Sequence, residues 1–274
     1  MKYIIVTGGN RGIGLSVVKA LASHSNHIIV GCRDIETGLK SVKDFGGNID
    51  GLYLDLTSES SIDAFVDNVN TTYPKIDVLF NNAGIYSPQG HKINFGDISM
   101  DQTWATNVWG PYMLTQKLMP QLLKSAQPKL LFMSSVVANV NQFKPVTMFE
   151  DSLKEAYAQT KYANILMGAY FEAAYSNINS IMVHPGYTNT EIFEGRQPGL
   201  KRKVVRCATN IFAQTPDKGA RSALYAIQDN VATGSYVVPK GFCEIWGAPK
   251  IKSSSQYYRK DDLEIFKKLL KTVV

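Results

Sequence analysis

The stretch that decides the fold of this 274-residue chain is KYIIVTGGNRGIG, residues 2–14. Its first part, Lys2 to Thr7, is short, apolar and partly β-branched, as in a buried parallel strand. Glycines follow at once, and helical periodicity runs from Leu15 to Ala22. In such an arrangement, backbone N–H groups and a helix N-terminus can hold a pyrophosphate. The stretch therefore predicts the start of a dinucleotide-binding fold, and the alternative is a tight turn without a ligand.

Further apolar runs recur along the chain, with helix-length segments between them. Strands that alternate with helices favour a doubly wound parallel sheet. The predicted fold class is α/β, a Rossmann-type sheet of about seven strands with helices on both faces. We expect 1–274 to form one domain, with a cofactor-binding half over about 1–100 and a catalytic half over about 101–274. After the first strand, the predicted strands cover 27–31, 49–54, 76–80, 129–133, 181–183 and, as the last, 235–238.

Two long helices are predicted in the second half. The first covers Asp101 to Ser125 and should kink or open at Pro111, because proline removes an N–H and crowds the preceding turn. The second covers Leu153 to Tyr175 and carries Tyr157 and Lys161, which share a helix face at i and i+4. A neighbouring cation favours the phenolate of a tyrosine, so the pair suits proton exchange. Taken alone, a Tyr and a Lys at this spacing are more often ordinary surface residues.

Composition limits the function classes. Hydrophobic residues make up 45% of the chain and charged residues 19%, so the chain should be globular. The net charge of +6 comes from basic residues spread along the chain, which favours an anionic cofactor over nucleic acid as partner. The three cysteines form no paired framework, and no leader or membrane anchor is expected. The cytoplasm is therefore the expected compartment, and no metal site is predicted.

Several motifs together resemble the short-chain dehydrogenase/reductase family. They are the Thr-Gly-x-x-x-Gly-x-Gly spacing from Thr7, the Asn-Asn-Ala-Gly turn at 81–84 and the Tyr-x-x-x-Lys pair at Tyr157. The wording after Tyr157 and the His-Pro-Gly turn at His184 are most similar to the soluble retinol-dehydrogenase-like, WW-domain-oxidoreductase-like and carbonyl-reductase-like members. The resemblance spans nearly the whole chain. The family gives His184 no catalytic role, so we interpret it as structural.

The resemblance implies that the cofactor is NADP(H). At the tip of the second strand, an acid binds the ribose 2′-hydroxyl of NAD, whereas an arginine pairs with the 2′-phosphate of NADP. NAD-preferring members carry Asp at the position of Cys32, and this chain has Arg33 next to it and Arg11 in the glycine loop. Asp34 complicates this prediction, because it places an acid at the same tip. The alternative role for Asp34 is to cap the following helix. The implied cofactor-binding residues are Gly8, Asn10, Arg11, Gly12, Ile13, Gly14, Arg33, Asp55, Leu56, Asn82, Ala83, Gly84, Tyr157, Lys161, Pro185, Gly186, Thr188 and Thr190.

The resemblance also implies four catalytic residues. Tyr157 would be the general acid in reduction and the general base in oxidation, and Lys161 would stabilise its phenolate and contact the ribose. Ser135 would hydrogen-bond the substrate oxygen, with Ser134 as the alternative. Asn107 would help to hold a water in a proton relay to the lysine.

The substrate side is predicted more loosely. The loop from Val136 to Ser152 is long and is expected to wall the substrate pocket. The basic and aromatic segment from Ile192 to Gln214 is the expected lid. Before it, Thr190 is the better match for the threonine at the nicotinamide carboxamide, and Thr188 is the alternative. The aromatic residues that suggest a lipophilic pocket, although core packing explains each about as well, are Trp109, Phe149, Tyr187 and Phe193.

The predicted function is that of an NADP(H)-dependent oxidoreductase of the carbonyl reductase type. It would interconvert an aldehyde or ketone with an alcohol by hydride transfer, and its partner would be a small lipophilic carbonyl or alcohol. One alternative is an NAD-dependent alcohol or steroid dehydrogenase. The other is a sensor or scaffold that binds NADP(H) without turnover. A monomer and a homodimer both stay open.

Overall fold

Eight strands form one sheet in the structure, a computed structural model that describes residues 1–42, 45–86, 91–140, 142–144, 153–188 and 213–271. The strands of the described ranges are β1 (Lys2–Thr7), β2 (Asn26–Cys32), β3 (Asn48–Tyr53), β4 (Val78–Asn81), β5 (Lys92–Phe95), β6 (Ile98–Asp101), β7 (Lys129–Met133), β8 (Asn179–Val183), β9 (Ser235–Pro239) and β10 (Pro249–Ser253). Their order in the sheet is β10-β9-β8-β7-β4-β1-β2-β3. Within this sheet of the described ranges, β10 is the one strand that runs antiparallel to its neighbour, and β5 pairs with β6 as a separate antiparallel hairpin.

Helices connect the parallel strands, and some of them begin behind a residue whose side chain caps them. The helix after β3 starts behind Ser58, whose hydroxyl accepts a hydrogen bond from the Ser61 N–H at 3.3 Å. The α-helices are α1 (Gly12–Leu21), α2 (Ile35–Val42), α3 (Glu59–Thr72), α4 (Gln102–Trp104), α5 (Gly110–Leu122), α6 (Leu153–Ala174), α7 (Pro216–Gly219), α8 (Arg221–Gln228) and α9 (Lys260–Leu270). Short 3₁₀ turns cover Val136–Ala138, Phe242–Glu244 and Ser254–Gln256.

Strand β1 shows why helices cover both faces of the sheet. Ile5 packs in the core that α3, α5 and α6 close, whereas Ile4 and Val6 pack in the core under α1 and α8. Successive side chains of a strand point to opposite faces. All three are at most 1% exposed, so both faces of the sheet are buried here. This confirms the predicted α/β class with a mostly parallel, doubly wound sheet.

The chain reverses its direction of travel across the sheet at β1. Val6 pairs with Val30 of β2 on one side and with Phe80 of β4 on the other. From β1 the chain moves outward to β3, then returns to the far side of β1 and continues from β4 to β9. At such a switch point the loops leaving neighbouring strands diverge and open a crevice.

Two strand predictions need correction. The run 235–238 is not the last strand, because β10 follows it and makes the sheet one strand larger than the seven predicted. Its sequence PKIKS lacks an apolar face, and an edge strand needs none, since lysines there discourage pairing with other chains. The hairpin of β5 and β6 was also missed. Its strands turn over Gly96, whose φ of +57° is costly for other residues.

The predicted helix over 101–125 is real but not uniform. It begins with α4, passes through a π-helical turn at Ala105–Trp109 and continues as α5. The Gly110 N–H bonds to the carbonyl of Ala105, five residues back. Pro111 has no N–H to offer the carbonyl of Asn107, so a regular helix would lose a bond here. The local opening expected at Pro111 is thus confirmed as a π turn, a feature common at functional sites.

Candidate active site

A cleft of about 720 Å³ lies at the carboxyl ends of β1, β2, β4 and β7. The cofactor-binding residues predicted from the sequence line it wherever the structure describes them. Thr190 lies outside the described residues, whereas Thr188 lines the cleft. The same cleft includes Ser135, Tyr157 and Lys161, so one crevice brings the predicted phosphate loop and catalytic side chains together.

The glycine loop has the backbone that only glycine adopts easily. Gly8 and Gly12 have φ values of +64° and +54°. A Cβ on Gly14 would lie 2.3 Å from the Gly8 carbonyl oxygen and 2.6 Å from the Asn82 amide nitrogen. Helix α1 begins at Gly12 on this wall, so its first N–H groups lie at the cleft. The loop therefore offers the close backbone approach that a pyrophosphate requires.

Thr7, which sequence reasoning did not assign to the site, ties the glycine loop to the next loop. Its hydroxyl oxygen accepts hydrogen bonds from the N–H groups of Asn82 at 3.0 Å and Ala83 at 2.9 Å. The Asn82 side chain returns a bond to the Thr7 carbonyl at 2.8 Å. A polar residue ending an apolar strand was the available signal. The two loops thus form one wall of the cleft.

At the tip of β2, the structure shows the contacts of Asp34 and Arg33, whose roles the sequence left open. Asp34 caps α2, since its carboxylate accepts from the Thr37 N–H at 3.0 Å. These hydrogen bonds lower the pKa of Asp34 below its ordinary value. Arg33 and Arg11 are exposed and line the cleft. Cys32 is buried, and its thiol donates to the Asp34 carbonyl at 3.3 Å. Asp34 also lines the cleft, so two cations and one helix-capping acid lie together at this tip.

Asp55, predicted to contact the cofactor, shapes a turn at the cleft. Its carboxylate accepts from the N–H of Thr57 at 2.9 Å and from the Thr57 hydroxyl at 2.7 Å, which shapes the turn before α3. The same residue lines the cleft beside Leu56.

Tyr157 and Lys161 lie together on the cleft side of α6. Both are buried, at 6% and 2% exposure, and the Lys161 ammonium nitrogen lies 5.7 Å from the centre of the Tyr157 ring. The edge of the Tyr86 ring meets Tyr157 at 5.4 Å, a contact that the sequence did not suggest. The ammonium donates to the Met133 carbonyl at 3.2 Å. Burial lowers the pKa of Lys161 to about 8, so the charged form still predominates at neutral pH.

The structure distinguishes the two serines after β7. The Ser134 hydroxyl is buried and donates to the Lys161 carbonyl at 2.8 Å, so it anchors α6 to the sheet. Ser135 lines the cleft, and its oxygen accepts a long hydrogen bond of 3.4 Å from the Val137 N–H. Of the two, Ser135 has the hydroxyl better placed to meet a ligand.

Asn107 lies behind the cleft wall and does not line it. Its side chain bonds to both backbone groups of Ile85, each at 2.8 Å, and donates to the Thr160 hydroxyl at 3.1 Å. A Cβ on Gly84 would lie 3.0 Å from the Lys161 ammonium and 3.2 Å from the Asn107 side-chain oxygen. Asn107 therefore joins the wall loop to α6 close to the lysine, on the π-helical turn.

The far end of the cleft is the turn Pro185–Thr188. Gly186 has a φ of +76°, and its N–H donates to Nδ1 of His184 at 3.0 Å. His184 is 1% exposed and does not line the cleft, in keeping with the structural role expected for it. The Gln214 side chain donates to the Pro185 carbonyl at 3.1 Å, a contact that no pattern in the sequence indicated. Residues remote in sequence thus hold this turn.

The aromatic residues predicted to line the substrate pocket lie in different parts of the molecule. Trp109 is buried in the core against Tyr112 and does not line the cleft, so core packing is the correct interpretation. Tyr187 lines the cleft and is 36% exposed. Phe149 and Phe193 lie outside the described residues, as do most of the predicted lid and part of the predicted loop. From that loop, Phe143 packs in the core.

Neither a metal cluster nor a membrane span emerges from the described ranges. Within them, no three His, Cys, Asp or Glu side chains converge as metal ligands. No helix in those parts of the chain combines the length and apolar character that crossing a bilayer requires.

Comparison with known proteins finds dehydrogenases and reductases that are similar to this chain. A model of the family described as short chain dehydrogenase matches residues 2–201. Dehydrogenase/reductase SDR family member 13 of Bos taurus is 30% identical over 241 residues, 83% of this chain and 62% of the relative. Polyprenol dehydrogenase of Danio rerio is 27% identical, covering 94% and 82%, and human retinol dehydrogenase 13 is 28% identical, covering 86% and 75%. The chain spans about three fifths of the length of the first of these relatives.

Solved structures share the fold. The crystal structure of an uncharacterised protein from Mycobacterium paratuberculosis has a TM-score of 0.74 and 25% identity, covering 98% of this chain and 90% of that one. The Pseudomonas aeruginosa RhlG/NADP complex has a TM-score of 0.64 at 20% identity, covering 82% and 89%, and this likeness concerns the fold alone. The predicted resemblance, including its retinol-dehydrogenase-like branch, is confirmed by the family match and the relatives. The chain belongs to the short-chain dehydrogenase/reductase family.

Proposed function

We propose that this protein is an NADP(H)-dependent oxidoreductase that interconverts an aldehyde or ketone with an alcohol. The observation that supports this most is the single cleft that joins the glycine loop to Ser135, Tyr157 and Lys161. A dinucleotide along this cleft would meet the loop at one end and the catalytic side chains at the other. The family match makes an oxidoreductase of this class the expected chemistry.

The cleft fits a dinucleotide at the position where its phosphates would lie. The Gly14 position has no room for a Cβ, because the Gly8 carbonyl and Asn82 close over it from the loop side. The first turn of α1 then presents its N–H groups to the cleft. When bound, the nicotinamide supplies or accepts the hydride.

Residues of the chain would donate and accept the proton that the reaction requires. Tyr157 gives a proton to the carbonyl oxygen in reduction and takes one from the alcohol in oxidation. The charged Lys161 lowers the cost of the phenolate, since an opposite charge nearby favours the ionised form. Ser135 donates a hydrogen bond to the substrate oxygen, and Asn107 keeps the wall beside the lysine in place.

The preference for NADP(H) is supported by charge at the tip of β2. Arg33 and Arg11 both line the cleft, and a guanidinium matches the geometry of a phosphate. Asp34 lines the cleft beside them, and its carboxylate accepts from the Thr37 N–H at the start of α2. An acid positioned to bind the ribose 2′-hydroxyl would instead have supported NAD.

A lipophilic substrate is supported by the apolar residues around the catalytic side chains. Ile85, Val136, Val137 and Tyr187 line the cleft near Tyr157 and Ser135. The names of two relatives, retinol dehydrogenase 13 and polyprenol dehydrogenase, point to lipophilic alcohols in those proteins. We therefore propose a small lipophilic carbonyl or alcohol as the partner of this chain.

Parallel titrations of the protein with NADPH and NADH, followed by tryptophan fluorescence, test the proposal. NADPH absorbance is then recorded against a panel of aldehydes, ketones and quinones. We expect tighter binding of NADPH and its oxidation by at least one panel member. Tighter binding of NADH would favour the NAD-dependent alternative, binding without turnover would favour the sensor, and no binding of either would refute the proposal.

A further inference from the structure

A segment near the C-terminus clamps the far turn of the cleft. We call residues 241–247 the C-terminal clamp. The carbonyl of Ile245 accepts from the Tyr187 N–H at 2.9 Å and from the Gln214 side chain at 2.8 Å. It also lies so near Gly186 that an added Cβ would come within 2.2 Å of it. The clamp therefore sets the position of the turn from behind.

Glu244 connects this clamp to His184. Its carboxylate accepts from Nε2 of His184 at 3.1 Å, from the Tyr257 hydroxyl at 2.5 Å and from the Lys252 ammonium. Burial raises the pKa of Glu244, but these hydrogen bonds outweigh it and lower the pKa to about 2, so the carboxylate is ionised at neutral pH. The cluster thus holds a fixed negative charge behind the turn.

The hydrogen bonds define which nitrogen of His184 carries the proton. Nδ1 accepts from the Gly186 N–H at 3.0 Å, so a neutral ring has its proton on Nε2, directed at Glu244. A carboxylate on the far side of an imidazole fixes both its tautomer and its orientation. The direction of the Gly186 N–H therefore depends on Glu244, because the His184 ring is hydrogen-bonded to both.

The backbone of the clamp is strained at this residue. Cys243 and Glu244 have φ values of +48° and +59°, a left-handed conformation that residues with a Cβ rarely adopt. Such conformations persist only where the surroundings hold them, and they concentrate at functional sites. Here the strain brings the Glu244 carboxylate to His184.

We infer that Glu244 is a positioning residue for the nicotinamide half of the cofactor. Through His184 it fixes Gly186 and the turn Pro185–Thr188, the wall of the cleft beyond the catalytic side chains. This inference rests on the proposed function, because it assumes that the dinucleotide runs from the glycine loop to that turn. The adenine half contacts other residues and should not depend on Glu244.

The test compares two ligands on one variant. NADPH spans both halves of the cleft, whereas adenosine 2′,5′-bisphosphate carries only the adenine, ribose and 2′-phosphate. We expect Glu244→Ala to weaken NADPH binding about tenfold, which corresponds to the loss of one or two hydrogen bonds. The affinity for adenosine 2′,5′-bisphosphate should stay within about twofold of the wild-type value. Binding is measured by calorimetric titration. Glu264→Ala, which removes an exposed carboxylate on α9, is the matched control and should change neither affinity.

A second variant covers the case in which Glu244→Ala does not fold. His184→Phe keeps a ring against Tyr236, which lies 5.4 Å away, and removes both nitrogens. It should show the same selective loss of NADPH affinity. Equal affinities of wild type and variant for NADPH, or an equal loss for both ligands, would overturn the inference. If the wild-type protein binds neither ligand, the proposed function fails instead, so the two failures are distinguishable.

Discussion

The two ends of the cleft differ in how clearly the sequence marks the residues that shape them. At the phosphate end, the glycine loop is shaped by its own backbone, by Thr7 at the end of β1 and by Asn82 just after β4. At the far end, the turn Pro185–Thr188 is held by Gln214, Glu244 and Ile245, all from later parts of the chain. Both ends depend on tertiary contacts, but only the first is marked by a glycine spacing that the sequence displays. Changes at the two ends should therefore have separable effects.

The largest effect is expected between the two ends, at Tyr157. Removing its hydroxyl in Tyr157→Phe leaves no proton donor for the carbonyl oxygen, so turnover should fall by roughly 10³-fold. NADPH affinity should stay near the wild-type value, because both ends of the cleft are intact. Steady-state kinetics and a fluorescence titration measure the two quantities. Tyr170→Phe, on the same helix but packed against Tyr112, is the control, and wild-type turnover in Tyr157→Phe would contradict the assignment.

The next effect concerns the phosphate end and compares two glycines. In Gly14→Ala the new Cβ meets the Gly8 carbonyl at 2.3 Å, so the loop must shift, and a displacement of this kind costs NADPH affinity about 10²-fold. At Gly12 a Cβ would meet nothing within 4 Å, and only its φ of +54° opposes substitution, at about 1 to 2 kcal/mol of stability. Titration and thermal unfolding of both variants make the comparison. A Gly14→Ala protein that binds NADPH normally would refute the phosphate loop.

A smaller effect is expected on cofactor choice alone. Arg33→Asp replaces a cation at the tip of β2 with an acid, which should reduce the ratio of NADPH to NADH affinity by roughly 10- to 100-fold, the worth of charge-assisted hydrogen bonds. NADH affinity should change little. Arg221→Asp makes the same charge change away from the cleft and serves as the control. An unaltered ratio would mean that Arg33 does not contact the 2′-phosphate.

The smallest effect is on stability and comes from the buried Lys161. Its lowered pKa of about 8 corresponds to a burial cost of roughly 3 kcal/mol. In Lys161→Met the lost hydrogen bond to Met133 offsets about 1 kcal/mol of that, so the variant should be more stable than wild type by roughly 2 kcal/mol at pH 7. Denaturant unfolding measures the difference, and a less stable variant would show that the charge is not costly in the folded protein.

The pH dependence of that difference has a definite sign. Between the folded pKa of about 8 and the ordinary value of 10.5, the unfolded chain binds more protons at Lys161 than the folded one. The stability of wild type relative to Lys161→Met should therefore rise with pH across this window and be constant below it. Turnover should behave oppositely, falling as pH rises through about 8, because the charged ammonium is lost. A flat difference in stability from pH 7 to 10 would contradict the account.

Sequence reasoning succeeded where function needs a particular residue type at a fixed spacing. Glycine is required by the φ of Gly8 and by the closure over Gly14, and helical spacing alone brings Tyr157 and Lys161 to one face. The cap considered for Asp34 is present, because Asp is favoured at that position, and the contact of Arg33 with a 2′-phosphate stays a prediction.

It failed where burial or pairing with distant segments decides the structure. Strand β10 has no apolar pattern and forms because β9 offers it an edge. A tryptophan suits a hydrophobic core as well as a substrate pocket, so only the contacts of Trp109 in the structure show that it belongs to the core. Glu244 belongs to no motif in the sequence, and no local pattern indicated its left-handed backbone or its contacts with His184, Lys252 and Tyr257.

The transfer of deuterium tests the central claim, that one cleft binds NADPH and reduces a carbonyl, most directly. The protein is incubated with NADPH deuterated at both C4 positions of the nicotinamide and with a lipophilic aldehyde or ketone that it consumes. Mass spectrometry then measures the label in the alcohol. We predict one deuterium per molecule of alcohol with wild type and no alcohol above background with Tyr157→Phe, although that variant binds NADPH. Alcohol without deuterium, or equal labelled product from the variant, would contradict the account.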